Sequence, residues 1–186
     1  MLVDISLSIK SSKKIDELYE YSRLSTLGLN QSNVKKMNPH ILKHLAYVGV
    51  QFKKPQNRTA LGWFKTITGQ FTGNLAYQCY LRVRPDNPEI LKDVSAKDLL
   101  SAYVSFSIMH PQYLASVEPD TGVEINRMYG LLHSIRYRDV EDFVCSKCGV
   151  YFMKSNEQRS TICPYCALYA RKPSSLSSKN IKKLTR

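Results

Sequence analysis

The sequence predicts a mainly α-helical protein with a helix-turn-helix near its N-terminus, a C-terminal four-cysteine zinc ribbon and a basic tail. Three observations predict it. Apolar residues recur at three- and four-residue steps through most of the chain, the mark of helices with one buried face. Two Cys-x-x-Cys pairs stand fourteen residues apart near the C-terminus. Positive charge gathers at both ends around a neutral middle. The 186 residues, 43% hydrophobic, suffice for one main domain with a small appendage. The expected division is a helical domain over residues 1–140, the ribbon over 141–170 and the tail over 171–186.

The first helix is read from Ile15, Leu18, Tyr19, Tyr21, Leu24 and Leu27, with Gly28 as its C-terminal breaker. A short helix follows over residues 31–37. Asn38-Pro39 reads as the next start, a capping side chain followed by proline at the first helical position, and Ile41, Leu42, Leu45 and Val48 form that helix's apolar stripe. Helix, glycine turn, short helix and capped helix in this order fit a helix-turn-helix; three small helices packed for structural reasons give the same pattern. The polar, basic stretch from Phe52 to Arg58 is a loop. From Leu61 the aromatics Trp63, Phe64, Phe71, Tyr77 and Tyr80 predict a buried helix, stopped at Pro85-Asp-Asn-Pro88. Leu91, Val94, Leu99, Leu100, Tyr103, Val104 and Ile108 predict another, ending near His110-Pro111. Asp120-Thr-Gly122 is a turn, with a strand pair around it as the alternative, and residues 122–137 carry a further helix leading into the cysteines.

Cys145-Ser-Lys-Cys148 and Cys163-Pro-Tyr-Cys166 have the spacing of a tetrahedral metal site. A two-residue gap lets one tight knuckle present two sulfurs to the same ion, so each pair supplies half a site. Gly149 permits the positive φ such a knuckle needs, and Pro164 presets a turn. Val150 to Met153 is strand-like and Ser155 to Ser160 is polar loop, so the metal would close a short hairpin. Two disulfides in a secreted module are the competing reading. The opening Met1-Leu2-Val3-Asp4 lacks the basic start and cleavage site of a secretory signal, which favours one Zn²⁺ in a soluble, cytoplasmic protein. Four cysteines close the coordination shell, so the ion is expected to be structural and not catalytic. His110 and His133 each lack a Glu two residues on, which excludes the deaminase pattern. Gly69-Gln-Phe-Thr-Gly73 lacks the Lys-Ser/Thr of a phosphate loop. Asp139, Glu141 and Asp142 lack metal-ligand spacing and are expected to cap the approach to the ribbon. Cys79, alone in an apolar stretch, reads as a small buried hydrophobe.

Net charge is +12. Residues 1–60 carry ten Lys/Arg against four Asp/Glu, residues 61–139 eight against eight, and residues 140–186 nine against three. Two basic ends facing a polyanion point to nucleic acid; a solvated face that only aids solubility, or attraction to ribosomal RNA or acidic lipid, is the plainer account. Tyr151, Phe152, Tyr165 and Tyr169 beside the cysteines keep a zinc-ribbon RNA-binding or ribosome-associated protein as the alternative function, since such rings stack on unpaired bases.

The order of these features resembles the FlhC-type subunits of bacterial transcriptional activators, the flagellar master regulator and the related activators of conjugative transfer. Ile41-Leu-Lys-His-Leu45 matches the apolar pattern of the second helix, Lys53-Lys-Pro55 the loop, Trp63-Phe64 the aromatic pair, and the four cysteines the metal site. The chain departs from the family in Gln56-Asn-Arg-Thr-Ala-Leu-Gly62 and in a slightly shorter gap between the cysteine pairs. The resemblance implies a non-enzymatic DNA-binding subunit that joins a small helical FlhD-like partner in a hetero-oligomer, binds double-stranded promoter DNA and recruits RNA polymerase to flagellar or conjugation operons. Phosphate contacts are then expected from Lys35, Lys36, Lys43, Lys53, Lys54 and Arg58 in the N-terminal part, and from Lys147, Lys154, Arg159, Arg171 and Lys172 in and after the ribbon.

Overall fold

Helices need a buried face and a defined end, and most of this chain supplies both. The computed structural model describes residues 2–52, 61–84 and 94–170. Residues 53–58 of the expected loop, the stop at 85–88, Leu91 and the basic tail therefore lie outside the described residues. Among those described, seven helices and one two-stranded antiparallel sheet follow in the order α1 Leu2–Thr26, α2 Gln31–Met37, α3 Ile41–Tyr47, α4 Ile67–Val83, α5 Ala96–Met109, α6 Ile125–Arg136, β1 Val140–Val144, β2 Tyr151–Ser155 and α7 Pro164–Ala170. Helices α4 and α5 pack along each other, with α1 and α6 against α5 and α3 against α1 and α2. Leu24, Phe64, Tyr80, Leu99, Phe106, Ile125, Met128, Leu131 and Leu132 fill the space between them.

Three helix ends use one device. At the end of α1, Leu29 N–H bonds Leu24 O (2.8 Å) and Gly28 N–H bonds Ser25 O (2.9 Å), with Gly28 at φ +101°. This is the Schellman arrangement, and its accompanying hydrophobic contact is the buried pair Leu24 and Leu29. Gly49 repeats it after α3, with Val50 N–H on Leu45 O and Gly49 N–H on Ala46 O. After α6 the left-handed position is held by Arg138, φ +60°, while Asp139 N–H bonds Ser134 O. The first reversal is also pinned from outside. Asn126 on α6 accepts from Asn30 N–H and Asn33 Nδ2 and donates to Gly28 O, so one amide secures the α1–α2 corner.

Several expectations need correction. Helix α1 begins at Leu2, far upstream of Ile15, because no proline or glycine interrupts residues 2–27. Residues 12–16 are exposed on every side, so α1 projects beyond the body there. Asn38 does not cap α3: it ends α2, its side chain accepts from His40 N–H, and α3 starts at Ile41 without a side-chain cap. Val48 lies half out of the core. Trp63 and Phe64 are buried but occupy a 3-10 turn, Trp63–Lys65, before Thr66 caps α4 through Gly69 N–H. The Asp120-Thr-Gly122 turn is present, joined to Leu114 by a single parallel bridge at Val123 and no strand pair. Buried Arg127 holds this turn through Gly122 O and Pro119 O and lies 5.6 Å from the centre of the Trp63 ring.

The glycines that failed as a phosphate loop have a packing role. A Cβ on Gly69 would lie 1.9 Å from Trp63 O, and one on Gly73 2.6 Å from the Phe64 ring. Two hydrogens in place of two methyls let the Trp63-Phe64 turn seat directly on α4. Cys79 is buried as expected.

Candidate metal centre

The first cysteine pair is the turn of the β1–β2 hairpin and the second opens α7. Strands β1 and β2 pair from Val140↔Ser155 to Val144↔Tyr151, so Cys145 to Cys148 link them at the far end. Gly149, φ +72°, donates to Cys145 O (2.9 Å), and Cys145 N–H returns to Val150 O (3.0 Å). Ser146 N–H reaches Thr161 O (2.9 Å), drawing the second knuckle under the first. Glu141 and Asp142 are thus paired members of β1 and do not cap the approach, and the hairpin partner of Val150–Met153 is the strand preceding the cysteines. Alternation in β1 was hidden by those two acids; α7, seven residues beginning at Pro164, is too short to show periodicity.

The four Sγ atoms all lie within 4.8 Å of one another. Cys148 Sγ and Cys163 Sγ are 3.7 Å apart. A tetrahedron with metal–sulfur bonds of about 2.3 Å has edges of about 3.8 Å, whereas a disulfide needs about 2.05 Å. All four cysteines are free. The donor set therefore fits a metal ion held by Cys145, Cys148, Cys163 and Cys166. Peptide N–H groups already point at the sulfurs: Lys147 N and Cys163 N at Cys145 Sγ (3.4 and 3.2 Å), and Cys166 N at Cys163 Sγ (3.4 Å). Burial raises the Cys145 thiol, yet the backbone donors of Cys163, Cys148 and Lys147 outweigh it and bring it down to about 6. Cys166 is pushed up to about 12, first by its hydrogen bond with Cys148 and then by burial, and burial raises Cys163. Sulfurs this close do not all ionise unaided; a cation among them reverses that repulsion.

The centre is fastened to the helical body by side chains that periodicity gave no reason to single out. Asn74 accepts from Met153 N–H (2.8 Å) and donates to Met153 O (3.1 Å), while Gln70 Nε2 donates to the same carbonyl (3.0 Å). Gln158 donates to Lys65 O, Glu157 pairs with Lys65, and Tyr165 of α7 sets its ring edge-on to Phe71 of α4, centroids 5.0 Å apart. Val140 and Met153 belong to the same core as the helices, so the boundary expected at 140/141 falls inside a packed element. The available signal was a pair of amides, Gln70 and Asn74, four residues apart within an apolar helix and beside Gly69 and Gly73.

The expected phosphate contacts divide. Lys35, Lys36, Lys43, Lys147 and Arg159 are exposed. Lys154 is not: only 7% of it is accessible, its Nζ donates to Ser160 O (2.8 Å), and it sits 4.0 Å from the centre of the Phe143 ring. Its ammonium closes the loop beneath the centre and is withdrawn from the candidate contacts. Lys53, Lys54, Arg58, Arg171 and Lys172 lie outside the described residues. Of the four rings considered for stacking, Phe152 is buried against the cysteines and Tyr165 leans on Phe71, whereas Tyr151 and Tyr169 are 73% and 91% exposed. No helix among the described residues is long and apolar enough to cross a membrane. No protein-family model matches the chain, and no curated protein matches it significantly.

Proposed function

We propose that the chain is a DNA-binding subunit of an FlhC-type transcriptional activator, stabilised by one structural Zn²⁺ on Cys145, Cys148, Cys163 and Cys166. The observation that carries this reading is a convergent four-sulfur centre, closed by its own ligands and hooked onto a helical body, with exposed cations on both the centre and the N-terminal helices. Zinc suits an all-thiolate tetrahedron, and a shell filled by four cysteines leaves no position for substrate, so no catalysis is assigned. Lys147 and Arg159 would touch phosphate from the centre, and Lys35, Lys36 and Lys43 from α2 and α3. Helix α3 would be the groove-reading member of a helix-turn-helix, its outer face carrying Lys43, His44 and Tyr47. The FlhD-like partner and RNA polymerase follow from the family resemblance.

Elemental analysis should give one zinc per chain, lost in Cys163→Ser. Selection from random duplex DNA, with the neighbouring gene's product co-expressed as partner, should enrich a defined sequence whose affinity falls steeply with salt. Equal binding to selected and random duplex overturns the activator reading; a zinc content of zero overturns the centre. The second reading, RNA binding, is favoured by the exposed rings of Tyr151 and Tyr169. It predicts preference for single-stranded RNA over duplex DNA, abolished by Tyr151→Ala together with Tyr169→Ala.

A further inference from the structure

A cleft of about 230 Å³ opens between α1, α2, α6 and the start of α5, away from the cysteines. One wall is acidic: Glu17 and Glu20 stand on α1, and Glu17 is held in place by Asn38 Nδ2 (2.7 Å). The facing wall is basic: Lys36 comes from α2 and His133 and Arg136 from α6. Burial and then the charges of Lys36 and Arg136 lower His133, which places an electropositive field at that end; burial raises Glu20 at the other. Neither Glu17 nor Glu20 forms an ion pair with Lys36. Between the walls lie Tyr21 and Tyr129, only 3% and 4% exposed, and neither hydroxyl has a hydrogen-bond partner among the described residues. Two hydroxyls open to one cleft, among acidic and basic side chains, can bond the polar groups of a ligand.

We propose that this cleft binds a small zwitterion of the α-amino-acid class, its ammonium against Glu17 and Glu20 and its carboxylate against Lys36, with the hydroxyls of Tyr21 and Tyr129 bonded to its polar groups. The volume is below the range of drug-sized ligand pockets, which suits a molecule of this size. Charge separation across the cleft orients the ligand: a simple anion meets the acidic wall and a simple cation the basic one, so only a molecule bearing both charges is matched at each end. The cleft stands apart from the metal centre, with which it shares no residue. It touches the proposed function at one point, since Lys36 is also a candidate phosphate contact.

Isothermal titration calorimetry of the full metal-loaded chain against the common free L-amino acids tests it. At least one should bind saturably, and its N-acetyl derivative and methyl ester, each lacking one charge, should bind at least about tenfold more weakly. Glu20→Gln and Lys36→Met should each weaken binding by a similar factor. Tyr21→Phe removes only an oxygen without a protein partner, so it should lower affinity while leaving the thermal midpoint of the free protein unchanged or higher. Failure of every amino acid to bind, equal binding of a charge-deleted derivative, or full affinity in Glu20→Gln overturns the proposal. A drop in thermal midpoint for Tyr21→Phe without ligand also counts against it, because it would mean that the hydroxyl serves the fold.

Discussion

At the scale of single residues, the same side-chain type does opposite things according to where its strand or loop puts it. Lys147 and Lys154 are seven positions apart around the cysteines; the first is exposed, and the second is folded over Phe143 with its ammonium on Ser160 O. On the proposed DNA-binding function, Lys147→Met should reduce the log–log salt dependence of binding by about one unit, whereas Lys154→Met should leave that slope unchanged and lower stability instead. Binding isotherms at several salt concentrations, alongside urea melts, separate the two. Asn74 is the other decisive residue. Asn74→Ala strips Met153 N–H of its partner inside the core and should cost about 2–3 kcal/mol in chemical unfolding, with the four-cysteine centre still able to bind metal. The sequence made the cysteines legible because ligand spacing is local. It could not make Lys154 legible, because burial of its ammonium depends on the return of the chain to Ser160 and on a cross-strand ring.

At the scale of elements, helix bodies were readable wherever an apolar stripe repeats, and α2 falls on the expected residues 31–37. Ends were readable where glycine takes the left-handed position. Gly28 and Gly49 announce their Schellman turns; Arg138 makes the same turn with a residue that does not advertise it. Arg138→Gly should raise stability by about 0.5–1 kcal/mol, since it relieves a left-handed side chain while adding some unfolded-state entropy. A thermal melt showing a clear loss would mean that the arginine side chain stabilises the corner. The Trp63-Phe64 turn makes the reverse case for glycine. Gly69→Ala gains helix propensity of about 1 kcal/mol, but its methyl would press on Trp63 O, and the net result should be a loss of about 1–2 kcal/mol. Strand β1 and helix α7 were not legible, because each is defined by what it pairs with or lies beside in the fold and not by a local pattern.

At the scale of the whole molecule, Phe152 and the cysteines form a small cluster of their own while Val140 and Met153 of the same hairpin lie in the helical core, so metal loss should reach beyond the cysteines. Chelation should first remove hydrogen-exchange protection from residues 140–170, then weaken it in α4 around Gln70 and Asn74, while α5 and α6 stay protected. Acid should have the same effect. With Cys163 raised and Cys166 pushed up to about 12, at least two protons leave when metal binds near neutral pH. Folded-state stability from the ion is thus present at higher pH and is lost as pH falls, metal affinity dropping by about two log units per pH unit. A competition titration with a chromophoric chelator across pH 6 to 8 checks the slope, and a flat profile would contradict thiolate coordination.

The amides of α4 have one more effect, on how copies of this chain behave toward each other. A two-stranded ribbon offers two rows of unpaired peptide groups on which a second chain can add a strand and propagate a fibre. Here the outward peptide of β2, at Met153, is already occupied by Asn74, and the open side of β1 presents Glu141 and Asp142. One rim is plugged and the other repels a copy of itself, so the hairpin can hold a metal at the surface without becoming a seed for aggregation.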